Sequence, residues 1–303
     1  MTTDPQAGPE GSVWSRRLES GPEFSLALGW GPGQVLEAFW RDVFAATPPG
    51  APVLEIGCGS GEVSLWAAEA RRGLKITASD VVAAPGAGRS HPDVTFLGSA
   101  PAEALPVPDA AFDLAVSNFA VEYADLSRAL PELARVVRPG GRGAMVLHSA
   151  DSTITETGRL LIEVDALLAR HGIPDKVRRS AALRPDHLTR RKLLKDVLKA
   201  RADAPSAVNP QFTGLDYFEL AERLLDGERD VRGDLDKLER VLAMRLEMAR
   251  EQVRAALDGA GFAELQRRLA GLGFLVHPSE ISCTYESGAF EKVGWIALLT
   301  KAA

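Results

Sequence analysis

Short apolar runs alternate with helical patterns between residues 51 and 150. Runs of strand length predict five strands, at residues 53–57, 75–79, 94–97, 112–117 and 143–148. Between the last two, apolar residues recur three or four positions apart from Leu126 to Val137, which predicts a helix. Regular alternation of strands with helical or loop connections predicts a parallel sheet with helices on both faces.

The same kind of pattern returns at the end of the chain. Residues 263–272 have helical spacing and end in a glycine-rich stop, and residues 281–285 and 294–299 look like two further strands.

The intervening residues, 151–258, read almost entirely as helix. Apolar positions at steps of three and four predict helices near 154–170, 186–201, 215–226 and 234–257. Before the first strand, residues 1–12 have a composition typical of disorder. Residues 13–47 contain two short helical patterns that we expect residues 29–33, rich in glycine, to separate.

Composition narrows the class of protein. The 303-residue chain has a net charge of −6, which argues against a nucleic-acid partner. Its two cysteines form no disulfide framework and favour a reducing cytoplasm. Apolar runs of membrane-spanning length are absent from the sequence, as is a basic-then-apolar start, so we expect a soluble cytoplasmic protein without a membrane partner.

The most informative segment follows the first predicted strand. Gly57, Gly59 and Gly61 alternate with small residues, and a helical pattern begins at Glu62. Strand, glycine turn and helix form a site for a nucleotide-like ligand, because glycine allows the backbone to approach it closely. A dinucleotide fingerprint would need glycine where Glu62 stands, and the acidic Glu55 suits a cationic ligand better than a phosphate.

Residues 55–61, Glu-Ile-Gly-Cys-Gly-Ser-Gly, resemble the first motif of the class I S-adenosylmethionine-dependent methyltransferases. Three further matches follow in the family's order. They are a strand ending in a carboxylate at residues 75–80, an Ala-Leu-Pro-Val-Pro-Asp loop leading into the fourth strand at 104–118, and a helix closed by Arg-Pro-Gly-Gly at 126–141. The resemblance covers residues 51–150 well, residues 259–301 loosely, and the helical segment not at all.

The resemblance implies a doubly wound, mostly parallel α/β sheet of seven strands, of which the last is antiparallel. The helical segment would then be an insertion between the fifth and sixth strands. We expect an N-terminal helical segment (1–50) that forms a lid or caps the core, a cofactor-binding core (51–150), the insertion (151–258) and the end of the sheet (259–303). The insertion would be a substrate lid, an interface for a homodimer, or both.

The implied cofactor is S-adenosyl-L-methionine. Asp80 would take the ribose hydroxyls, since a carboxylate offers two acceptor oxygens to two neighbouring donors. The family often places an aspartate before the adenine loop, and residues 98–102 here contain no acid. We therefore expect adenine contacts through the backbone of Ala100 or Ala102, with Glu103 as the nearest acid. The full expected cofactor set is Glu55, Gly57, Cys58, Gly59, Gly61, Asp80, Ala100, Ala102, Glu103 and Asn118.

His148 is the first candidate for a general base because it ends the fifth predicted strand, at the edge where ligands bind in such sheets. Its alternative role is a hydrogen bond to a loop. Glu122 and Tyr123, just past the fourth strand, come next, with a helix start and a core ring as their alternatives. His and Cys do not cluster at metal-ligand spacing, so no metal is expected.

The predicted function is methyl transfer to an oxygen or nitrogen atom of a small molecule, such as a specialised metabolite. One alternative acceptor is a peptide or protein side chain. Residues 176–201 carry ten Lys or Arg against two Asp, and residues 215–239 carry nine Asp or Glu against four Lys or Arg. These charges form either two solvated faces that pack together or a basic rim that steers an acidic substrate. A non-catalytic scaffold that keeps the pocket is the alternative of another class.

Overall fold

The computed structural model describes most of the chain, at residues 13–14, 16, 30–83, 85–86, 90–204, 216–228, 231–284 and 290–303. The chain divides into two compact units. The first comprises Met1–Thr155 with Arg254–Ala303, and the second is Glu156–Val253. The predicted disorder at residues 1–12 and the predicted strand residue Tyr285 lie outside the described residues.

The first unit contains a mixed sheet of seven strands in the order β3-β2-β1-β4-β5-β7-β6. The strands β1 to β5 pair in parallel, whereas β7 is antiparallel to both β5 and β6. Their bounds, from β1 to β7, are Pro52–Ile56, Lys75–Ser79, Val94–Leu97, Phe112–Asn118, Val137–Leu147, Phe274–Thr284 and Phe290–Lys301. The predicted α/β class and seven-stranded sheet are confirmed.

From residue 30 onward, nine α-helices accompany the sheet in the described part of the chain. Numbered α1 to α9, they are Trp30–Ala45, Glu62–Ala70, Leu126–Val136, Thr153–Arg170, Ile173–Ala181, Leu188–Ala200, Asp216–Leu225, Arg232–Ala255 and Gly259–Gly271. A 3-10 turn at Val121–Tyr123 follows β4. None of the helices within the described ranges is long and apolar enough to cross a membrane.

The sheet is buried on both faces because alternate residues of its strands enter two separate cores. Val53 and Val116 belong to the core that contains Trp40 of α1, whereas Leu54 and Ala115 belong to the core that contains Leu133 of α3. Period-two alternation sends neighbouring residues to opposite faces, so near-continuous apolar strands are what a two-sided core requires.

Residues 30–33 do not form the predicted break, and its first residue, Gly29, lies outside the described residues. Helix α1 begins at Trp30 and runs through Pro32. Proline is tolerated in the first turn of a helix, where its missing N–H would have no intrahelical partner. The segment therefore starts a helix where the sequence pattern indicated a separation.

The strands β6 and β7 are longer than predicted. Four exposed residues, from His277 to Glu280, interrupt the apolar pattern of β6. Their backbones nevertheless pair with β7 throughout. An edge strand needs no buried side chains along its whole length, which is why periodicity identified only its last part.

The second unit is helical, from the body of α4 to α8, around its own apolar core. Helix α5 was not predicted, because Gly172 and Pro174 at its start resemble a loop; Gly172 takes a positive φ of 59° and Pro174 occupies the first turn. The guanidinium of Arg190 is buried and donates to the carbonyl oxygens of Leu183, Leu224 and Glu228 at 3.0, 2.6 and 2.7 Å. A single side chain thereby joins three chain segments of this unit.

Candidate functional site

The turn after β1 is fixed to the end of β2 by backbone hydrogen bonds. The N–H groups of Gly57 and Cys58 both donate to the carbonyl oxygen of Ser79, at 2.8 and 3.0 Å. Gly61 then precedes α2 in the left-handed conformation. The turn is therefore held between a strand end and a helix start.

Gly57 and Gly59 are glycines for different reasons. Both have positive φ values, 73° and 51°. A Cβ on Gly57 would lie 2.2 Å from the Cβ of Ala120, whereas a Cβ on Gly59 would meet no atom within 4 Å. Packing against the loop after β4 requires Gly57, while Gly59 borders open space in which a ligand has room.

Asp80, directly after β2, reaches into this turn. Its Oδ2 accepts from the N–H of Gly59 at 2.7 Å, and its Oδ1 accepts from the N–H of Val82 at 3.1 Å. Burial raises the pKa of this carboxyl, with backbone hydrogen bonds opposing the rise. Each oxygen keeps a further lone pair, so the carboxylate is able to accept from two neighbouring hydroxyls.

Glu55 and Cys58 are buried beneath and within the turn. Burial raises the pKa of Glu55 to about 8, although its carboxylate accepts a hydrogen bond from the hydroxyl of Ser64. Burial also raises the pKa of the Cys58 thiol, which therefore stays protonated and acts as a small filler. With its pKa at about 8, Glu55 is mainly protonated near pH 7, and the acid beside the turn that disfavours a phosphate ligand is Asp80.

The loop after β3 is tied to Asp80 and to α3. The N–H of Ala100 donates to the backbone carbonyl oxygen of Asp80 at 2.8 Å, so this amide is engaged within the protein. Ala102 is half-buried. The Oε1 of Glu103 accepts from the N–H of Asp125 at 2.8 Å, which gives Glu103 a structural partner just before α3.

Beyond the carboxyl ends of β4 and β5 lies a cluster of polar and aromatic side chains. The indole N–H of Trp40 donates to the Oδ1 of Asn118 at 2.9 Å. The backbone N–H of His148 donates to the Oε1 of Glu122 at 2.8 Å. This second bond ties the loop after β4 to the end of β5.

Four rings, one of them that of His148, form a continuous series of contacts. Its ring stacks on Phe119, with centroids 4.3 Å apart and planes 16° apart, and Tyr123 meets it edge-on at 5.7 Å. Trp14 in turn meets Tyr123 edge-on at 5.0 Å. Phe119 was not singled out from the sequence; its position immediately after Asn118 was the available signal.

Burial shifts the two titratable groups of this cluster in opposite senses. It lowers the pKa of His148 to about 3 and raises the pKa of Glu122 to about 7. His148 is thus a neutral imidazole near pH 7 and a weak base. Glu122 titrates in a suitable range, but its carboxyl is buried and holds the backbone of His148.

Two further histidines, His171 and His187, have partners inside the second unit. The Nε2 of His171 lies 3.1 Å from a carboxylate oxygen of Asp203. The Nδ1 of His187 accepts from the N–H of Thr189 at 3.1 Å, at the start of α6. Among the described residues, no group of His, Cys, Asp or Glu is placed to hold a metal ion.

Residues 54–145, which include the end of β1, the glycine turn and Asp80, match the family described as "Methyltransferase domain". The chain carries a class I S-adenosylmethionine-dependent methyltransferase domain. S-adenosylmethionine is the cofactor of this domain. The open face of Gly59 and the buried carboxyl of Asp80 fit such a ligand.

Curated relatives share this domain. The chain is 41% identical over 104 residues to a malonyl-[acyl-carrier protein] O-methyltransferase of Pseudescherichia vulneris, covering 34% of this chain and 41% of the relative. It is 37% identical over 141 residues to the protein of that name in Serratia marcescens, covering 42% and 52%. The chain therefore spans about half the length of these relatives, or less.

Solved structures give a weaker likeness. The 1,6-didemethyltoxoflavin-N1-methyltransferase of Burkholderia thailandensis is 13% identical with a TM-score of 0.46, covering 100% of this chain and 94% of that one. A methyltransferase of Methanosarcina mazei is 16% identical with a TM-score of 0.42, covering 86% and 97%.

Proposed function

We propose that this chain transfers a methyl group from S-adenosylmethionine to an oxygen atom of a small acidic molecule, with a carboxylate as the acceptor. One observation carries the proposal: the turn at Gly57 contacts Ala120, next to the cluster that contains Phe119, Glu122 and His148. A cofactor site and a candidate acceptor site are therefore contiguous at the carboxyl edge of the sheet, where ligands of such folds bind.

In this proposal the protein's residues bind and orient the two reactants. Asp80 accepts from the ribose hydroxyls, and Gly59 allows the backbone close approach. Asn118, whose Oδ1 accepts from the indole of Trp40, is the last residue of β4 at this edge of the sheet. The bound cofactor supplies an electrophilic methyl group, so alignment of the acceptor and exclusion of water are the main tasks left to the chain.

The weak basicity of His148 favours an acceptor that needs no deprotonation. An amine or hydroxyl must lose a proton during methyl transfer, and an imidazole with a pKa of about 3 is poorly suited to accept it at pH 7. A carboxylate is already ionised. The relatives named malonyl-[acyl-carrier protein] O-methyltransferases support the same acceptor chemistry, since a malonyl group ends in a carboxylate.

A second candidate is an acceptor carried on an acidic peptide or protein, and the surface of α6 favours it. Leu188 is 82% exposed, and exposed basic side chains follow it along one helix face, at Arg191, Lys192, Lys195 and Lys199. Other cations of the basic segment are paired: Arg178 with Asp236 and Glu239, and Arg201 with Glu222. The net charge of this chain is negative, so the exposed basic stripe is a local exception that would attract an acidic partner.

The test is a methyl-transfer assay with cofactor labelled in the methyl group. Malonyl thioesters and simple dicarboxylates are compared with phenols and amines. We expect product in the first group only, with label released as methanol by mild alkali because a methyl ester hydrolyses. Alkali-stable label would overturn the carboxylate assignment. Binding of S-adenosylhomocysteine without turnover across the whole panel would instead favour the non-catalytic scaffold.

A charge-reversal variant distinguishes free from protein-borne acceptors. The variant combines Lys192→Glu and Lys195→Glu. If α6 is the docking face, this variant has a lower kcat/KM for a malonyl group on an acidic carrier protein and an unchanged kcat/KM for malonyl-coenzyme A. Lys75→Glu, at the exposed start of β2, is the matched control. Equal loss with both acceptors would exclude a docking role for α6.

A further inference from the structure

We propose that Lys292 and Trp295, near the start of β7, form a latch through which the two connections of the helical insertion open and close as one unit. The entry connection is residues 148–152, between β5 and α4, and the exit connection is residues 256–258, between α8 and α9. Both connections belong to the first compact unit. The inference goes beyond the proposed function, and its test needs neither cofactor nor acceptor.

The two connections are hydrogen-bonded to each other. The N–H of Leu257 donates to the carbonyl oxygen of His148 at 2.9 Å, and the N–H of Ala150 donates to the carbonyl oxygen of Leu257 at 2.9 Å. These bonds form an isolated parallel bridge between Ser149 and Leu257. Segments from the two ends of the insertion therefore share one short backbone ladder, which also holds the backbone of His148.

Trp295 holds the exit connection. Its indole N–H donates to the carbonyl oxygen of Leu257 at 2.9 Å, so this oxygen accepts from two donors. The indole ring also stacks on Phe262 of α9, with centroids 4.6 Å apart and planes 15° apart. Trp295 pairs with Leu147, the last residue of β5, which places it beside the point where the entry connection begins.

Lys292 holds the entry connection. Its Nζ lies 3.1 Å from the Oδ1 of Asp151 and 2.9 Å from a carboxylate oxygen of Glu280. The hydroxyl of Ser149 donates to the same oxygen of Asp151. This hydroxyl and, to a smaller extent, Lys292 lower the pKa of Asp151, so its carboxyl is ionised near pH 7.

The two side chains of the latch are in contact with each other. The Nζ of Lys292 lies 3.0 Å from the centroid of the Trp295 ring. The ring quadrupole attracts an ammonium in this position, more strongly where water is excluded, and the Lys292 side chain is only 12% exposed. An exposed ion pair contributes little by itself, and the Asp151 side chain is 72% exposed. The latch therefore depends on the ammonium and the indole together.

These shared contacts are the reason to expect joint opening. Without the indole donor, the carbonyl oxygen of Leu257 keeps one of its two donors, so the bridge between the connections weakens as well. Without the ammonium, Asp151 loses its cation and Trp295 loses the charge over its ring. Either loss therefore reaches both connections, although Lys292 bonds the entry connection and Trp295 bonds the exit connection.

The test is hydrogen–deuterium exchange of the full chain, measured at the amides of Ala150 and Leu257. Lys292→Met removes the ammonium, and Trp295→Phe removes the indole donor while keeping an aromatic ring. We expect each variant to raise exchange at both amides about three- to tenfold, because a local opening becomes easier when one or two interactions are lost. Lys292→Arg keeps a cation over the ring and retains most of the protection.

Lys301→Met is the matched control. It removes a second ammonium of β7, which donates to the carbonyl oxygens of Ala134 and Val137 at the other end of the strand. We expect this control to leave exchange at Ala150 and Leu257 unchanged. An equal rise in the control, or a rise that extends through β1 and β4, would indicate general loss of stability and overturn the inference.

Two further outcomes would also overturn it. One is unchanged exchange at both amides in Lys292→Met. The other is a rise only at the connection that the replaced side chain bonds, since the two connections would then open separately. If Trp295→Phe fails to fold, the comparison of Lys292→Met with Lys292→Arg still decides. Failure of the proposed function leaves this result unaffected, because no ligand is present in the experiment.

Discussion

The Oδ2 of Asp80 accepts a hydrogen bond of 2.7 Å from the backbone N–H of Gly59. This bond joins the end of β2 to the turn after β1, so two separate sequence motifs form one structural unit. The acid at position 80 therefore has two tasks, to shape the turn and to present its remaining lone pairs to a ligand.

Asp80→Asn separates these tasks. The amide oxygen is able to keep one of the two backbone bonds, but the side chain loses its charge and one acceptor. We expect the Kd for S-adenosylhomocysteine to rise about 10- to 100-fold, because one or two charge-assisted hydrogen bonds to the ligand are lost. Calorimetry measures this Kd. The control is Asp113→Asn, at the start of β4 and therefore at the edge of the sheet opposite to the site. Equal binding by the two variants would remove Asp80 from the ligand site.

The pair Gly57→Ala and Gly59→Ala distinguishes packing from binding. Alanine at 57 meets Ala120 at 2.2 Å and also takes a positive φ, so we expect more than about 2 kcal/mol of lost stability. Alanine at 59 has open space and costs roughly 1 kcal/mol of backbone strain, yet it obstructs the ligand face. Urea unfolding and calorimetry together should show one variant unstable and the other stable but binding-deficient. The reverse pattern would contradict the geometry.

Glu55 predicts a pH dependence of stability. Its pKa is raised from 4.5 to about 8 in the folded protein. Between these values the folded state retains a proton that the unfolded state has released, so the free energy of unfolding falls as pH rises from 4.5 to 8. The loss from this group is on the order of a few kcal/mol. Glu55→Gln cannot titrate, and its stability relative to the unmodified protein should therefore improve from pH 5 to pH 8.

The measurement for Glu55 is a series of urea unfolding curves across that pH range. Glu69→Gln changes an exposed glutamate of α2 and serves as the control, with a profile parallel to that of the unmodified protein. A parallel profile for Glu55→Gln as well would mean that Glu55 is ionised throughout.

Glu122 is expected to position His148 rather than to exchange protons with the acceptor. Glu122→Gln preserves an acceptor for the N–H of His148, whereas Glu122→Ala leaves that buried N–H without its 2.8 Å partner. We expect Ala to cost about 1–3 kcal/mol of stability and Gln considerably less. The pH profile of kcat is the second readout. If Glu122→Gln removed a titration near pH 7 together with most of the turnover, Glu122 would be the base.

Much of the sheet could be predicted because its central strands β1 and β4 are buried on both faces. The runs that became β1 to β4 are short, apolar and bounded by turns, and their predicted limits agree with the structure within one residue. The edge strand β6 and helix α5 could not be delimited in this way. The first is held by backbone pairing to β7, and the second begins with Gly172 and Pro174, which locally indicate a turn.

In the candidate site, too, some features could be predicted from the sequence and others could not. The spacing of residues along the chain identified the glycine turn and Asp80. Glycine marks backbone positions with a positive φ, and an acid directly after a strand marks the end of that strand. The partners of Glu103 and Asn118 are 22 and 78 positions away in sequence, at Asp125 and Trp40, and pattern alone does not indicate such pairs. The shift of the His148 pKa likewise depends on burial by rings from other segments.

The most direct test of the whole account is a calorimetric titration of the unmodified protein with S-adenosylmethionine and S-adenosylhomocysteine. The account predicts saturable binding of both at one site per chain, with micromolar affinity of about −8 kcal/mol, and loss of that binding in Asp80→Ala. A folded protein that binds neither ligand, or that binds them equally well without Asp80, would contradict the assignment of the glycine turn as a cofactor site.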